Sequence, residues 1–264
     1  MKKYIVIGNP INHSLSPKLH NYWIKKNNIK AFYDKKKLIE NDIESIISEV
    51  KNGKIDGINV TVPFKKSVIA FLDELTPLAN EAKSVNMIYK QKNKVIGHNT
   101  DVGGFELALK HINFDVKNKK IFILGAGGVT TSIVLSLKKM KAGKIILSNR
   151  TKTKAEAISK IYSNIETIDW GKTPDFDMVV NTTSLGLKKD DEINLDYSKI
   201  GSNKLFYDVI YNPNQTKFLL NAKQHGHQIE NGKMMFIYQA HQAFTIWHKI
   251  LPNINDETIK LLEQ

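Results

Sequence analysis

Apolar residues along the chain fall into two patterns that alternate. Short runs rich in branched side chains predict strands, and segments with apolar residues every three to four positions predict amphipathic helices. The strand-like runs are residues 2–8, 31–38, 55–63, 119–125, 144–148, 177–187, 204–213 and 227–232, with a hairpin pattern over 84–100. The helical segments are residues 16–28, 42–53, 67–82, the stretch after the glycine turn at 125–128, 151–162, 215–226, 233–251 and 256–264.

The order of these elements predicts the fold class. Strands and helices alternate through the first hundred residues, and the pattern restarts with a strand, a glycine turn and a long helix. This order favours an α/β protein whose second part is a Rossmann-type mononucleotide-binding unit. We place the domain borders near Val102 and Gly232, so that residues 1–102 with 233–264 form one domain and residues 103–232 the other. In the first helix, Ser16 is expected to cap and Pro17 to lie in the first turn.

Composition excludes several classes of protein. The chain has 264 residues, of which 41% are hydrophobic, and it contains no cysteine. Disulfides, thiolate catalysis and cysteine-ligated zinc are therefore excluded. No apolar run approaches the roughly 20 residues that span a bilayer, so we expect a soluble cytoplasmic protein without a membrane partner.

The formal net charge of +13 raises the question of nucleic-acid binding. The lysines are scattered, however, and the longest run is three, at residues 35–37. A lysine-rich solvated surface explains this distribution better than a nucleic-acid site does, so nucleic-acid binding ranks last among the hypotheses. Anionic small ligands would still be attracted electrostatically.

A glycine turn carries the strongest functional signal. Gly125, Gly127 and Gly128 follow an apolar strand and open a helix, which is the context of a dinucleotide-binding turn. Gly125 would permit the tight turn, and Gly127 would let the backbone approach a pyrophosphate at the helix N-terminus. Thr130 stands where a third glycine or alanine is usual.

The second strand of this unit ends at a basic cluster. Arg150 is the only arginine among 39 Lys and Arg residues, and Asn149 precedes it where an NAD site would usually place a carboxylate. Lys152 and Lys154 follow. A guanidinium can bind phosphate through a planar fork and stack on adenine, which an ammonium cannot do. The cluster therefore favours a cofactor with a 2′-phosphate, NADP.

Polar residues at strand ends suggest a second site. Ser14 and Ser16 lie in a loop before a helix and could hold a carboxylate. Lys65 and Asp101 each follow a predicted strand, so the two charges could meet over one cleft. Each residue alone would more often be a turn hydroxyl or a solvated charge.

Together the motifs resemble the shikimate dehydrogenase family over the whole chain. They are, in order, "GNPINHSLSPKLHN", "NVTVPFK", "SVN", "NTDVGGF", "LGAGGV", "NRT", "NTTSLG", "YDVIYNPNQTKFL" and "NGKMMFIYQAHQAFTIW". The resemblance implies an N-terminal α/β substrate domain, completed by the C-terminal helices, a Rossmann NADP domain, and a groove between them. It also implies an oxidoreductase that acts on CH–OH with NADP, interconverts 3-dehydroshikimate and shikimate on the way to chorismate and aromatic amino acids, and works as a monomer or homodimer without a metal.

The resemblance also assigns residue roles. Lys65 and Asp101 would be the catalytic pair, and Ser14 and Ser16 would hold the substrate carboxylate. The further substrate-binding residues would be Thr61, Lys65, Asn86, Asp101, Gln239 and, close by, Tyr211. The cofactor-binding residues would be Gly125, Ala126, Gly127 and Gly128 at the diphosphate, Asn149, Arg150, Thr151 and Lys154 at the 2′-phosphate, Thr182, Thr183 and Ser184 facing the cofactor, and Val209, Gly232 and Met235 near the nicotinamide. Because the neutral Lys65 amine would accept the alcohol proton, oxidation of shikimate should be faster at alkaline pH.

Five residues depart from the family pattern: Lys83, Ser84, Met87, Val102 and Lys154. Met87 removes a hydroxyl behind Asn86, and Val102 replaces a glycine after Asp101. Both could reshape the pocket. Two alternatives remain open, a quinate/shikimate dehydrogenase with broader substrate range and a non-catalytic NADP-binding regulatory module. The presence of both Lys65 and Asp101 argues against the second alternative.

Overall fold

The computed structural model describes residues 1–263, which fold into two compact units. Of the described residues, one unit contains 1–104 and 237–263, and the other contains 105–236. The strands are β1 (Lys2–Gly8), β2 (Ala31–Lys37), β3 (Gly57–Val60), β4 (Glu74–Leu75), β5 (Met87–Gln91), β6 (Lys94–His98), β7 (Lys120–Leu124), β8 (Lys144–Ser148), β9 (Ile165–Ile168), β10 (Met178–Asn181), β11 (Leu205–Asp208) and β12 (Gln228–Glu230). The α-helices are α1 (Ser16–Lys26), α2 (Ile43–Lys51), α3 (Pro77–Ala82), α4 (Asp101–His111), α5 (Thr130–Lys139), α6 (Lys152–Ile161), α7 (Lys217–Gln224), α8 (Lys233–His248) and α9 (Asp256–Leu261).

The first unit contains a mixed six-stranded sheet in the order β2-β1-β3-β5-β6-β4. β2, β1 and β3 run parallel, whereas β5 pairs antiparallel with both β3 and β6. Ile5, Ile7 and Ile58 on the sheet pack with Ile46 and Val50 of α2 in one buried cluster. The parallel strands end together at one edge, which places the residues after β1 and β3 near each other.

The second unit contains six parallel strands in the order β12-β11-β10-β7-β8-β9. β8, β10 and β11 are buried along most or all of their length, as expected for strands covered on both faces. The chain runs outward from β7 in one direction and from β10 in the other. Such a reversal of strand order is where open α/β sheets bind ligands, at the carboxyl ends of the strands.

Within the first unit, helix α8 packs on the sheet through aromatic side chains. Trp247 donates its indole N–H to the carbonyl of Ile88, 3.4 Å away, and lies 4.9 Å from the Tyr4 ring. A Cβ at Gly57 would lie 2.4 Å from the Trp247 indole nitrogen, so glycine is required there. His20 of α1 stacks on Tyr33 in the same aromatic cluster, with ring centroids 4.2 Å apart.

Two sequence expectations about local structure are wrong. Ser16 does not cap α1, because the helix already begins at Ser16 and its N-cap residue is Leu15. The segment 67–82 is not one helix: a 3₁₀ turn at Ser67–Phe71 is followed by β4 and α3. Hydrogen bonds from Asp73 N to Val95 O and from Thr76 N to Gly97 O draw this segment onto β6. Helix α4 and strand β9 were not predicted. Within residues 1–263, no helix is long and apolar enough to cross a membrane.

Candidate active site

A buried ion pair lies at the centre of the first unit's polar site. Lys65 follows β3, Asp101 begins α4, and the Lys65 ammonium lies 2.6 Å from Oδ2 of Asp101. Both residues are buried, with 8% and 4% of their surface exposed. A charge-assisted hydrogen bond between buried groups holds both side chains in a fixed geometry. The two residues that sequence reasoning expected to meet are therefore brought together.

Asn86 joins this ion pair to its surroundings. Its amide Nδ2 donates to Asp101 Oδ1 and to Thr100 Oγ1, each at 2.9 Å, and lies 3.4 Å from Gln239 Oε1. Its Oδ1 accepts the Thr100 backbone N–H at 2.7 Å. The predicted residues Asn86, Asp101 and Gln239 thus form one network, in which Thr100 is a member that the predicted site did not include. Its position directly before Asp101 was the available signal.

A second polar layer supports Asn86 from β3. The Tyr33 hydroxyl donates to Asn59 Oδ1 at 2.6 Å, and Asn59 Nδ2 donates to the Asn86 carbonyl at 3.2 Å. Sequence reasoning did not give Tyr33 a role. Tyr33 is buried on β2, next to the exposed Asp34, and nothing in the sequence around it indicated this contact.

The other predicted substrate residues lie near turns. Ser14 Oγ accepts the Ser16 backbone N–H at 3.3 Å, so the two serines are neighbours. Thr61 opens the turn after β3, where its carbonyl accepts the Phe64 N–H at 3.0 Å. Tyr211 belongs to the second unit and stacks on Phe236, with ring centroids 4.5 Å apart.

The departures from the family pattern leave this network intact. Met87 is fully buried, and the hydroxyl beside Asn86 is supplied by Thr100. The Val102 N–H donates to Asn99 Oδ1 at 3.1 Å within the first turn of α4. Neither residue therefore removes a polar group from the network around the ion pair.

The glycine turn of the second unit connects β7 to α5. Gly125 has φ of +110°, and a Cβ there would lie 2.6 Å from Thr182 Oγ1, so only glycine is accommodated. At Gly127 the nearest atom to an added Cβ is the Thr182 carbonyl oxygen at 3.9 Å, which leaves the backbone open to a ligand. Thr130 Oγ1 contacts the Gly125 carbonyl at 3.2 Å and Thr182 Oγ1 at 2.8 Å. Threonine therefore replaces the usual glycine by bonding to the turn.

The basic cluster lies beside this turn. Asn149 Oδ1 accepts the Ala126 N–H at 3.1 Å, and its Nδ2 donates to the Thr151 carbonyl at 2.8 Å. Asn149 therefore fixes the glycine turn and the start of α6 relative to each other. The exposed predicted residues of this cluster are Arg150, Thr151 and Lys154. Lys152 instead pairs with Asp169 at 2.8 Å.

The remaining predicted cofactor residues follow β10, β11 and β12, except for Met235 in α8. The Thr182 hydroxyl contacts the Leu124 carbonyl at 2.9 Å and is turned into the protein, while Ser184 is exposed. A Cβ at Gly232 would lie 2.1 Å from the Val209 carbonyl oxygen, so these two backbones touch. Met235 is 5% exposed. Thr182, Thr183 and Ser184 follow β10, beside the strand-order reversal, whereas Val209 and Gly232 follow β11 and β12 and Met235 lies in α8.

A parallel sheet with this glycine turn, joined in one chain to a unit with a buried lysine–aspartate pair, defines a two-domain, dinucleotide-dependent oxidoreductase. Residues 6–88 match the profile of the shikimate dehydrogenase substrate binding domain, and residues 106–184 match that of shikimate / quinate 5-dehydrogenase. The chain belongs to the shikimate dehydrogenase family.

Individual relatives cover nearly the whole chain. The shikimate dehydrogenase (NADP(+)) of Pelagibacter ubique is 58% identical over 262 residues, 99% of each chain. The structure of shikimate dehydrogenase from Aquifex aeolicus is 33% identical, with a TM-score of 0.90 over 100% of this chain and 98% of that one. The Thermus thermophilus enzyme, solved with NADP(H) and shikimate, is 26% identical with a TM-score of 0.90 over 100% and 99%. The family resemblance and the fold class expected from the sequence are confirmed.

Proposed function

We propose that this protein is an NADP-dependent shikimate dehydrogenase, which interconverts 3-dehydroshikimate and shikimate on the way to chorismate and the aromatic amino acids. The observation that carries the proposal is the buried Lys65–Asp101 pair, hydrogen-bonded to Asn86. It is supported by the relatives named for this activity, above all the one from Pelagibacter ubique.

Lys65 has the chemistry that the reaction needs. When a ketone is reduced, negative charge builds on its oxygen, and a positioned ammonium stabilises that charge and then gives the oxygen a proton. NADPH would supply the hydride when bound. In the opposite direction Lys65 must accept the proton of the alcohol. Asp101 holds the ammonium in place through its Oδ2, while its Oδ1 is engaged by Asn86.

The residues that would hold the substrate belong to the first unit, except for Tyr211. Ser14 and Ser16 are adjacent and would bind the carboxylate through their hydroxyls. The ring hydroxyls would contact Thr61, Lys65, Asn86, Asp101 and Gln239, with Tyr211 completing the set. Thr100 would act through Asn86, because it accepts the Asn86 amide and donates its own backbone N–H to Asn86.

The cofactor residues fit NADP. Open space at Gly127 suits a pyrophosphate, and an exposed guanidinium beside the turn suits a 2′-phosphate. The residues that would hold it are Gly125, Ala126, Gly127, Gly128, Asn149, Arg150, Thr151, Lys154, Thr182, Thr183, Ser184, Val209, Gly232 and Met235. Since the hydroxyl of Thr182 is turned inward, Thr182 would contact the cofactor through its backbone.

The proposal extends to organisation and location. Residues 1–102 with 233–264 would be the substrate domain and residues 103–232 the NADP domain. The enzyme would act in the cytoplasm, as a monomer or homodimer, on a small-molecule substrate and without a nucleic-acid partner.

Initial rates of cofactor reduction test the function directly. Shikimate and quinate are each supplied with NADP and with NAD, and kcat/KM is measured for the four combinations. We expect shikimate with NADP to exceed the other three. Equal values for the two acids would favour the broader quinate/shikimate enzyme, and a preference for NAD would contradict the role given to Arg150.

A further inference from the structure

Two buried side chains outside the binding roles above form a pair at the edge of the second sheet. Asn181 ends β10 and Asp208 ends β11, and the two are register partners across these parallel strands. Asn181 Nδ2 donates to Asp208 Oδ1 at 3.0 Å, and both residues have 0% exposure. The pair lies where the segments proposed to face the cofactor and the substrate begin.

Asp208 fixes the segment that leads to Tyr211. Its Oδ1 accepts the Ile210 N–H at 3.0 Å, and the Asn181 carbonyl accepts the Val209 N–H at 3.0 Å. The Ile210 carbonyl in turn accepts the Gly232 N–H at 3.1 Å. Hydrogen bonds therefore fix consecutive backbone groups of Val209 and Ile210, directly before Tyr211. The position of the Tyr211 ring depends in this way on the Asp208 carboxylate.

Asn181 fixes the other segment in the same way. Its Oδ1 accepts both the N–H and the hydroxyl of Thr183, at 3.0 and 2.7 Å, and its Nδ2 donates to the Leu185 carbonyl at 3.0 Å. Thr183 Oγ1 also accepts the Leu185 N–H at 3.0 Å. The side-chain amide of Asn181 thus fixes the backbone of residues 183–185.

Within residues 1–263, the Asp208 carboxylate accepts hydrogen bonds from three uncharged donors, of which two are the Asn181 amide and the Ile210 N–H. The third is the Thr216 hydroxyl at 2.7 Å, from the N-cap of α7. Burial raises the pKa of Asp208 to about 6, against the opposing effect of Thr216 and the other donors. Burying a carboxylate without a counter-charge raises the free energy of the folded state, and apolar side chains at these strand ends would avoid that penalty. The presence of the carboxylate there needs a reason other than stability.

We propose that Asn181 and Asp208 are positioning residues that join segment 183–185 to segment 209–211, so that the two segments move as one body. The inference rests on the proposed function, which gives Thr183 and Ser184 to the cofactor and Tyr211 to the substrate. Neither residue touches the reactants in this assignment. Each acts through the backbone that it holds.

A double-mutant cycle tests whether Asn181 and Asp208 together join segment 183–185 to segment 209–211. kcat, both KM values and the NADP dissociation constant are measured for Asn181→Ala, Asp208→Ala and the double variant. Either change breaks the same connection between the two segments, so we expect each to lower kcat roughly tenfold. The kcat of the double variant should be little lower than that of either single variant. Amide exchange at Ile210 and Thr183 should accelerate in all three variants. Multiplied effects in the double variant, roughly hundredfold, would mean that the residues act independently and would overturn the proposal.

A matched control variant distinguishes an effect on the position of the two segments from an effect on stability alone. Asn255 makes the same kind of contact as Asn181, because its Oδ1 accepts both the N–H and the hydroxyl of Thr258, at 3.0 and 2.9 Å, at the start of α9. Asn255→Ala should lower the melting temperature and leave kcat and KM unchanged. The proposal fails where the Asn181 and Asp208 variants behave like this control.

Two further measurements keep the test decisive. If an alanine variant does not fold, Thr216→Val and Thr216→Ser replace it, and kcat should fall for valine and be retained for serine. If the wild-type protein does not oxidise shikimate, the proposed function fails. Amide exchange and the NADP dissociation constant then still decide whether Asn181 and Asp208 join the two segments.

Discussion

The Lys65 ammonium and the Asp101 carboxylate, 36 positions apart in sequence, lie 2.6 Å apart in a site from which most solvent is excluded. Asp101 is also bonded to Asn86, so its orientation does not depend on Lys65 alone. Replacing Lys65→Met should keep the shape of the site and remove the proton donor. We expect kcat to fall roughly 10²- to 10⁴-fold in steady-state assays, which is the usual contribution of a positioned acid or base.

The neighbouring Lys66 provides the control for this substitution. It is exposed, and it carries the same charge one position along the chain. Lys66→Met should leave kcat within about twofold of the wild type, since surface substitutions away from a site have small effects. A Lys65→Met protein that binds shikimate normally and keeps most of its kcat would remove Lys65 from the mechanism.

The sequence predicted some parts of the site and not others, according to how far apart in sequence the contacting residues lie. Lys65 and Asp101 could be expected to meet, because strand ends converge at one edge of a sheet. The inward turn of the Thr182 hydroxyl depends on Leu124 and Thr130, which lie far away in sequence. No pattern within the segment around Thr182 contains that information.

The errors in local structure have the same origin. Segment 67–82 has helical spacing, yet its pairing with β6 and the proline at position 77 divide it. Ser16 has the chemistry of a cap, but the turn that begins with the Ser14 hydrogen bond moves the helix start by one residue. Tertiary contacts decided the outcome where local preferences were weak.

Arg150 tests the cofactor assignment through a change that keeps the charge. It is exposed next to Asn149, whose side chain holds the glycine turn. In Arg150→Lys the ammonium cannot form the planar fork or stack on adenine. We expect KM for NADP to rise roughly tenfold while KM for shikimate changes little. The ratio of kcat/KM for NADP to that for NAD should therefore fall, and an equal change with both cofactors would mean that Arg150 does not contact the 2′-phosphate.

His20 makes the first unit sensitive to acid. Burial, reinforced by repulsion from His248, lowers the pKa of His20 from 6.5 to about 3. Burial also lowers the pKa of His248 to about 4. The unfolded chain takes up these protons below pH 6.5, and the folded chain does so only near pH 3 to 4. Stability is therefore complete above pH 6.5 and is lost as the pH falls through this window.

Comparing wild type with His20→Phe isolates the contribution of one histidine. The wild type should lose about 2 kcal/mol of unfolding free energy relative to His20→Phe between about pH 7.5 and pH 5, measured by urea denaturation. Asp208 has the opposite effect, because its pKa is raised to about 6, but it is common to both proteins and cancels in the difference. His13→Gln, at an exposed position, should follow the wild-type curve. Parallel curves for wild type and His20→Phe would show that His20 is protonated as readily in the folded protein as in the unfolded chain, and that the aromatic cluster around it opens to water.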